Sequence, residues 1–162
     1  MKIFRPTRFF WITCSGLLWM AVGVFLLMIG VRFIAQEALL NPVPSIVMQT
    51  LFQIGGGKEP GAFLLIVFAL FIGFFKGRFV LSKTVKKVVM RIAHLEEPIA
   101  LKSVYNARYL LLIALMVSFS MMIKFFHVPL DIRGFIDVAI GSALINGASF
   151  YFRALYALKK SS

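Results

Sequence analysis

Side chains able to carry covalent or metal chemistry are few here and poorly grouped. Among 162 residues there are two histidines, one cysteine and six acidic residues. One cysteine, Cys14, with the separated His94 and His127 cannot assemble the usual zinc ligand sets. Asp131 and Asp137 stand six positions apart, which at about 100° per residue places them on different faces of a helix. Ser142 follows Gly141, but no histidine is expected at its depth to take its proton. The string Gly55-Gly56-Gly57-Lys58 has the glycines of a phosphate loop. It lacks the leading glycine at the right spacing, and Glu59 stands where a hydroxyl residue should follow the lysine. These residues predict no enzyme and no metal or cofactor.

Two polar groupings remain. Ser142, Asn146, Ser149 and Arg153 occupy i, i+4, i+7 and i+11, a single stripe along a helix that is otherwise apolar. A polar group facing lipid is costly, so the stripe is expected to face other helices. Its plainest role is interhelical hydrogen bonding, to Ser118 or Ser120 for example; the sharper one is a path for a small solute or ion. The second grouping is an outer charged cluster of Arg32, Lys124, His127, Asp131, Arg133 and Asp137. Pairing Asp137 with Lys124 or Arg32, and Asp131 with Arg133, would offset the cost of charge near hydrocarbon. His127 has the side chain that titrates nearest neutral pH.

The elements that hold these residues follow from composition. Hydrophobic residues make up 60% of the chain, against roughly 45–50% in a globular protein. Eighteen Lys and Arg against six acidic residues give a net charge of +12. A disordered chain lacks such an apolar content, and a lone cysteine excludes a disulfide scaffold. The class left is an all-α, polytopic membrane protein in a single domain, residues 1–162. The longest uncharged apolar run is 9–31, long enough to cross a hydrocarbon core of roughly 30 Å. Three shorter uncharged runs, 61–75, 109–123 and 138–152, reach only about 22 Å each and rely on snorkelling basic ends. Four spans are predicted, near 9–34, 61–81, 108–127 and 134–158, packed as a four-helix bundle with an outer loop at 35–60.

Basic residues orient the spans. The N-terminal tail, the loop between the second and third spans, and the C-terminus hold 14 of the 18. Only Arg32, Lys58, Lys124 and Arg133 fall on the other side. That asymmetry puts both termini in the cytoplasm and the chain in a bacterial inner membrane. The first run exceeds the core of a signal peptide and lacks a small-x-small cleavage site, which favours an uncleaved first helix. Cys14 is then a small helix residue, with palmitoylation as the alternative.

In the cytoplasmic loop, 82–95 reads as an amphipathic helix capped by Ser82 and ended by Glu96, Glu97 and Pro98. Val85, Val88, Val89, Ile92 and Leu95 fall on one face; Lys83, Lys86, Lys87, Arg91 and His94 fall on the other. Such a helix is expected to lie in the interface against anionic cytoplasmic lipid, or to offer a docking surface. The basic residues line the membrane edges and are not interleaved with base-stacking aromatics, so nucleic acid is not an expected partner. A weaker amphipathic segment is predicted at 46–54, stopped by the three glycines.

Small residues recur at packing intervals. Gly16, Gly23 and Gly30 come every seven residues, while Ala69, Gly73 and Gly77, and Ala139, Ala143 and Gly147, come every four. Stripes of this kind let two backbones approach closely, within one bundle or between copies. The chain also divides into two similar hairpins, opened by Arg8-Phe9 and Arg108-Tyr109, which would make a parallel repeat.

With Arg108-Tyr109 opening the third span and His127, Pro129, Leu130 and Asp131 in the following connection, the second hairpin resembles the phosphate-starvation-inducible E family of small four-span bacterial membrane proteins. The resemblance implies the four-span topology and no established chemistry.

Two functions are compatible with these features. One is a non-enzymatic assembly or accessory protein acting through helix packing with itself or with a partner. The other is a subunit of a small solute or ion channel or transporter that uses the polar stripe.

Overall fold

A computed structural model describes residues 8–93, Ser118, Met122 and residues 128–161. The described chain is all-helical, and three of its helices are long and apolar enough to cross a membrane. Those lengths and compositions are those of an integral membrane protein. The third expected span, 108–127, lies outside the described residues apart from Ser118 and Met122, both helical and exposed. Lys124, His127, Ser120, His94 and the Glu96-Glu97-Pro98 stop lie outside them as well.

Helix α1 (Arg8–Leu40) continues past Arg32, beyond the expected end near residue 34. Arg32 is exposed, and arginine is a good helix former, so its charge does not break the helix. The helix stops at Asn41-Pro42-Val43-Pro44, where two prolines remove N–H donors and disfavour the helical conformation in the residue before each. The Val43 N–H donates to Asn41 Oδ1 at 3.2 Å, the short-range turn that asparagine makes with its own chain.

Helix α2 (Ile46–Gly55) starts at Ser45, whose Oγ accepts the Met48 N–H at 3.2 Å. It ends at Gly56, which has φ 78°, a left-handed conformation that costs other residues about 1–2 kcal/mol. The N–H groups of Gly56 and Gly57 both return to the Phe52 carbonyl. The chain then turns sharply into α3 (Lys58–Lys76), with Pro60 in its first turn. Gly61 is the close point of this α2–α3 hairpin: a β-carbon there would lie 3.0 Å from the Leu51 carbonyl.

Helix α3 does not end before Ser82. It passes through a π-helical turn, Gly77–Leu81, directly into α4 (Ser82–Ala93). Gly77 and Ser82 both have right-handed helical dihedrals, φ −57° in each case. Ser82 is thus an interior residue and not a cap, and its hydroxyl donates back to the Phe79 carbonyl at 3.5 Å. From Lys58 to Ala93 the helix is continuous and extends well past the thickness of a hydrocarbon core. Helix α5 (Leu130–Ser161) is the last described element.

Helix α1 packs along α5 in antiparallel register. Gly16 meets Tyr151, Gly23 meets Gly141, and Gly30 meets Gly134. Helix α3 packs on another face of α5 in parallel register, Gly73 against Ala139 and Gly77 against Ala143. Two buried clusters result. One holds Trp11, Ile12, Trp19, Val85, Val89, Leu144, Ala148 and Tyr151. The other holds Ile34, Ala38, Met48, Leu65, Ala69 and Val138. The outward faces are apolar, with Phe25, Phe63, Phe71, Phe75 and Phe79 exposed, as lipid-facing surfaces are.

Candidate functional site

The polar residues gather where α1 ends, α2 begins and α5 begins. Glu37, in the last turn of α1, is 4% exposed. Its Oε1 accepts from Asn41 Nδ2 at 3.0 Å and from the Ser45 N–H at 3.2 Å. Ser45 Oγ donates to Asp131 Oδ2 while accepting the Met48 N–H. Asp131, in the first turn of α5, is fully buried, and its Oδ1 has no hydrogen-bond partner. One serine therefore joins three helices: its N–H goes to α1, its oxygen caps α2, and its hydroxyl proton goes to α5. Neither carboxylate forms an ion pair among the described residues.

This arrangement corrects the expected pairing. Asp131 is held by Ser45, because the α1–α2 connection folds over the start of α5. Arg133 instead lays its guanidinium over the Phe33 ring, 4.6 Å from the centroid. Asp137, 9% exposed, lies one turn after Arg133 on the same helix. Arg32 is exposed and is no partner of Asp137.

Beside this junction is a cavity of about 460 Å³ between α2, α3 and α5. Val47, Leu51, Leu65, Phe68 and Phe135 make its wall, and Asp131 is its one charged residue. Phe68 and Phe135, both in its wall, stack on each other with centroids 6.2 Å apart.

The expected polar stripe of the last helix divides. Ser142 Oγ donates to the Leu70 carbonyl at 3.2 Å, and Asn146 Nδ2 to the Phe74 carbonyl at 3.1 Å. Both partners are backbone atoms of α3, not hydroxyls of the third span. Gly73 and Gly77 bring the α3 backbone close enough for short side chains of α5 to reach it. Ser149 Oγ donates to the Asn146 carbonyl of its own helix at 2.7 Å. Arg153 is exposed, 5.9 Å from the Phe150 ring centroid. The Phe74 carbonyl also receives the Gly77 N–H, at the entry to the π-turn. A π-turn of this kind often accompanies a local functional demand.

The small residues are used inside the chain. Gly16, Gly23 and Gly30 face α5; Gly73 and Gly77 face Ala139 and Ala143. A β-carbon on Gly147 would lie 3.0 Å from the Trp19 ring, and Trp19 meets Tyr151 edge to face at 5.7 Å. The α5 side of the α1 contact includes Gly134 and Gly141, seven residues apart like the α1 glycines they meet, a spacing that the four-residue stripe at Ala139, Ala143 and Gly147 obscures.

Helix α4 keeps Lys83, Lys86 and Lys87 exposed, with Arg91 on the same helix. Its apolar residues Val85 and Val89 are buried in the cluster of Trp19 and Tyr151. The apolar face therefore rests on protein, where an interfacial helix would set it into lipid.

Glu37, Asn41 and Ser45 were not singled out by type or spacing. The available signal was a Ser three residues before Met48 and just after two prolines, the mark of a helix cap. A second signal was an acidic residue, Glu37, in the mostly apolar continuation of the first span past Arg32. No group of three or more His, Cys, Asp or Glu side chains suited to a metal ion occurs among the described residues. Comparison with protein-family models, curated proteins and solved structures finds no match to this chain.

Proposed function

We propose that this chain is a non-enzymatic assembly or accessory protein of a bacterial inner membrane, with both termini cytoplasmic. It presents the lysine face of α4 to anionic lipid headgroups and to a membrane-protein partner or a second copy. The observation that carries this reading is the seating of Val85 and Val89 in the bundle core, which holds Lys83, Lys86 and Lys87 outward. Near an anionic leaflet each lysine contributes about 1 kcal/mol of attraction. A rigidly seated basic face suits contact with another body better than free insertion in lipid.

The four-span bundle is part of the proposal. Helices α3 and α5 run in the same direction, so the chain between them has to return from one end of the bundle to the other. The apolar run 109–123 is available for that return. An even number of spans agrees with the basic residues at both termini and in the middle loop. The parallel-hairpin repeat and the resemblance to the phosphate-starvation-inducible E family fit the same topology.

The channel reading has less support, because Ser142, Asn146 and Ser149 spend their hydrogen bonds on backbone carbonyls.

The test is a photo-crosslinking residue at Lys86 in the full chain, expressed in a bacterial membrane. Adducts with a membrane protein or a second copy, lost when Lys83 and Lys87 are both changed to Glu, are expected. Crosslinks to lipid alone, with the chain monomeric in detergent, would overturn the proposal.

A further inference from the structure

The bundle holds charged and apolar surfaces at the same height. Gly77 of α3 packs against Ala143 and Asn146 of α5, and Gly23 of α1 packs against Gly141 and Ile145. Gly147 of α5 meets both Trp19 and Leu81. Lys76 and Arg78, on either side of Gly77, are therefore level with Gly23. Gly23 lies deep in the uncharged run of α1, about 21 Å along the helix from Phe9. Val85 and Val89 continue the pattern, in one cluster with Trp11, Ile12 and Trp19. Lys76, Arg78, Lys83, Lys86 and Lys87 are exposed among the described residues. Over the same heights, α1 exposes Leu17, Leu18 and Val22. The offset has the same sense at the other end. Leu65 and Ala69 share a cluster with Ile34 and Ala38, beyond Arg32, and Phe63 and Phe68 beside them are exposed. The hydrocarbon layer that fits α1 is thus displaced outward where it meets α3. Helices α1 and α3 touch. A tilt within the usual range of roughly 0–40° does not absorb a step of about 21 Å between axes about 8–10 Å apart.

The chain supplies little counter-charge to this face. Residues 61–129 hold nine Lys and Arg against two acids, Glu96 and Glu97. The other four acids, Glu37, Glu59, Asp131 and Asp137, lie toward the opposite ends of their helices. We propose that the cytoplasmic leaflet is indented along α3 and α4, and that headgroups of anionic phospholipid rise there to Lys76 and Arg78, level with Gly23. Phe71 and Phe75, exposed with ring centroids 4.8 Å apart, then receive the acyl chains. Water and headgroups at this height remove the cost of five cations in hydrocarbon, while α1 keeps a full apolar layer on its own side. The inference rests on the orientation proposed above, which makes this end of α3 cytoplasmic.

The test places single cysteines in the full chain carrying Cys14→Ser, in inside-out membrane vesicles. Phe79→Cys and Val22→Cys are at exposed positions of one height on α3 and α1. A membrane-impermeant sulfonated maleimide should label the first. The second should react only after detergent dissolves the membrane. Equal labelling of the two in intact vesicles would overturn the proposal. Right-side-out vesicles separate its failure from that of the orientation. Labelling of Phe79→Cys from the outer side alone would overturn both; no labelling from either side would overturn the indentation and leave the orientation standing. The lipid is tested on the native chain in proteoliposomes, which decides the matter if a cysteine variant fails to fold. Phosphatidylglycerol with a photoreactive headgroup should label residues 74–79. Unlabelled phosphatidylglycerol should compete, and phosphatidylcholine should not. Lys76→Gln with Arg78→Gln should weaken that labelling by roughly tenfold or more, the combined attraction of two cations. Labelling confined to residues beyond Lys86, or equal competition by phosphatidylcholine, would sink the idea.

Discussion

Gly23 of α1 and Gly141 of α5 face each other so closely that neither has room for a β-carbon. One built on Gly23 would lie 2.9 Å from the Gly141 carbonyl oxygen; one on Gly141 would lie 2.6 Å from that of Gly23. Gly30 and Gly134 repeat the arrangement seven residues along. In lipid the hydrophobic effect does not press helices together, so backbone proximity and dispersion hold the pair. Gly141→Ala should destabilise the folded chain by about 1–3 kcal/mol, the usual cost of overpacking. Gly141→Leu should separate α1 from α5 outright. Ala21→Leu, on the exposed side of α1, should have little effect. Denaturation by sodium dodecyl sulfate from maltoside micelles, followed by circular dichroism, would rank the three.

Ser45 is the next sensitive position. Ser45→Ala removes the cap of α2 and strips Asp131 of its remaining hydrogen bond. The lost cap alone costs about 0.5–2 kcal/mol, and the stranded carboxyl about 1–3 kcal/mol more. Ser45→Thr keeps the hydroxyl and should recover most of the loss. Hydrogen exchange by mass spectrometry should show faster exchange across Ile46–Gly55 in the alanine variant and near-native rates in the threonine variant. Equal rates in the two would mean that the hydroxyl holds nothing together.

The membrane class was legible because it depends on composition summed over long runs, and α1 and α3 are apolar over more than a turn in every direction. Element ends were less so. Arg32 looked like the edge of a span, but a charge bounds the hydrocarbon-embedded stretch and not the helix itself, which runs on to Leu40. Ser82 had the sequence setting of a cap, yet Gly77 and Ser82 both keep helical dihedrals and the helix runs through. The Ser45–Asp131 contact spans 86 residues and follows from how α1 and α5 align. No local period encodes that alignment. Gly134 and Gly141 share the seven-residue spacing of Gly16, Gly23 and Gly30, so the antiparallel pair left a trace that only a search for matching periods on two spans would detect.

Asn146 separates hydrogen bonding from transport. Its amide donates to the Phe74 carbonyl, which also receives the Gly77 N–H within its own helix. Asn146→Leu thus strands no acceptor and should cost only about 0.6 kcal/mol, the average for an interhelical side-chain bond in a membrane. Asn146→Asp places a charge within the span and should cost about 2.5–3.5 kcal/mol. The same denaturation assay resolves these values. A solute flux into proteoliposomes that is present in the native chain and abolished by Asn146→Leu would instead favour the conducting role.

Val85 tests how α4 is held. It is 1% exposed, in the cluster that contains Trp19 and Tyr151, while Lys86 beside it is exposed. Val85→Asp would bury a carboxylate among aromatic and aliphatic groups, and the seating of α4 is the cheapest contact to give up. The helix should leave the bundle while α1, α3 and α5 stay packed, because their glycine contacts do not involve it. Amide exchange over residues 82–93 should then rise toward the unprotected rate, with α1 and α5 unchanged. Lys86→Gln, which alters only the outward face, should leave exchange as it is. If Val85→Asp left α4 protected, the helix would be held by lipid and not by the bundle, and the lysine face would lose its fixed direction.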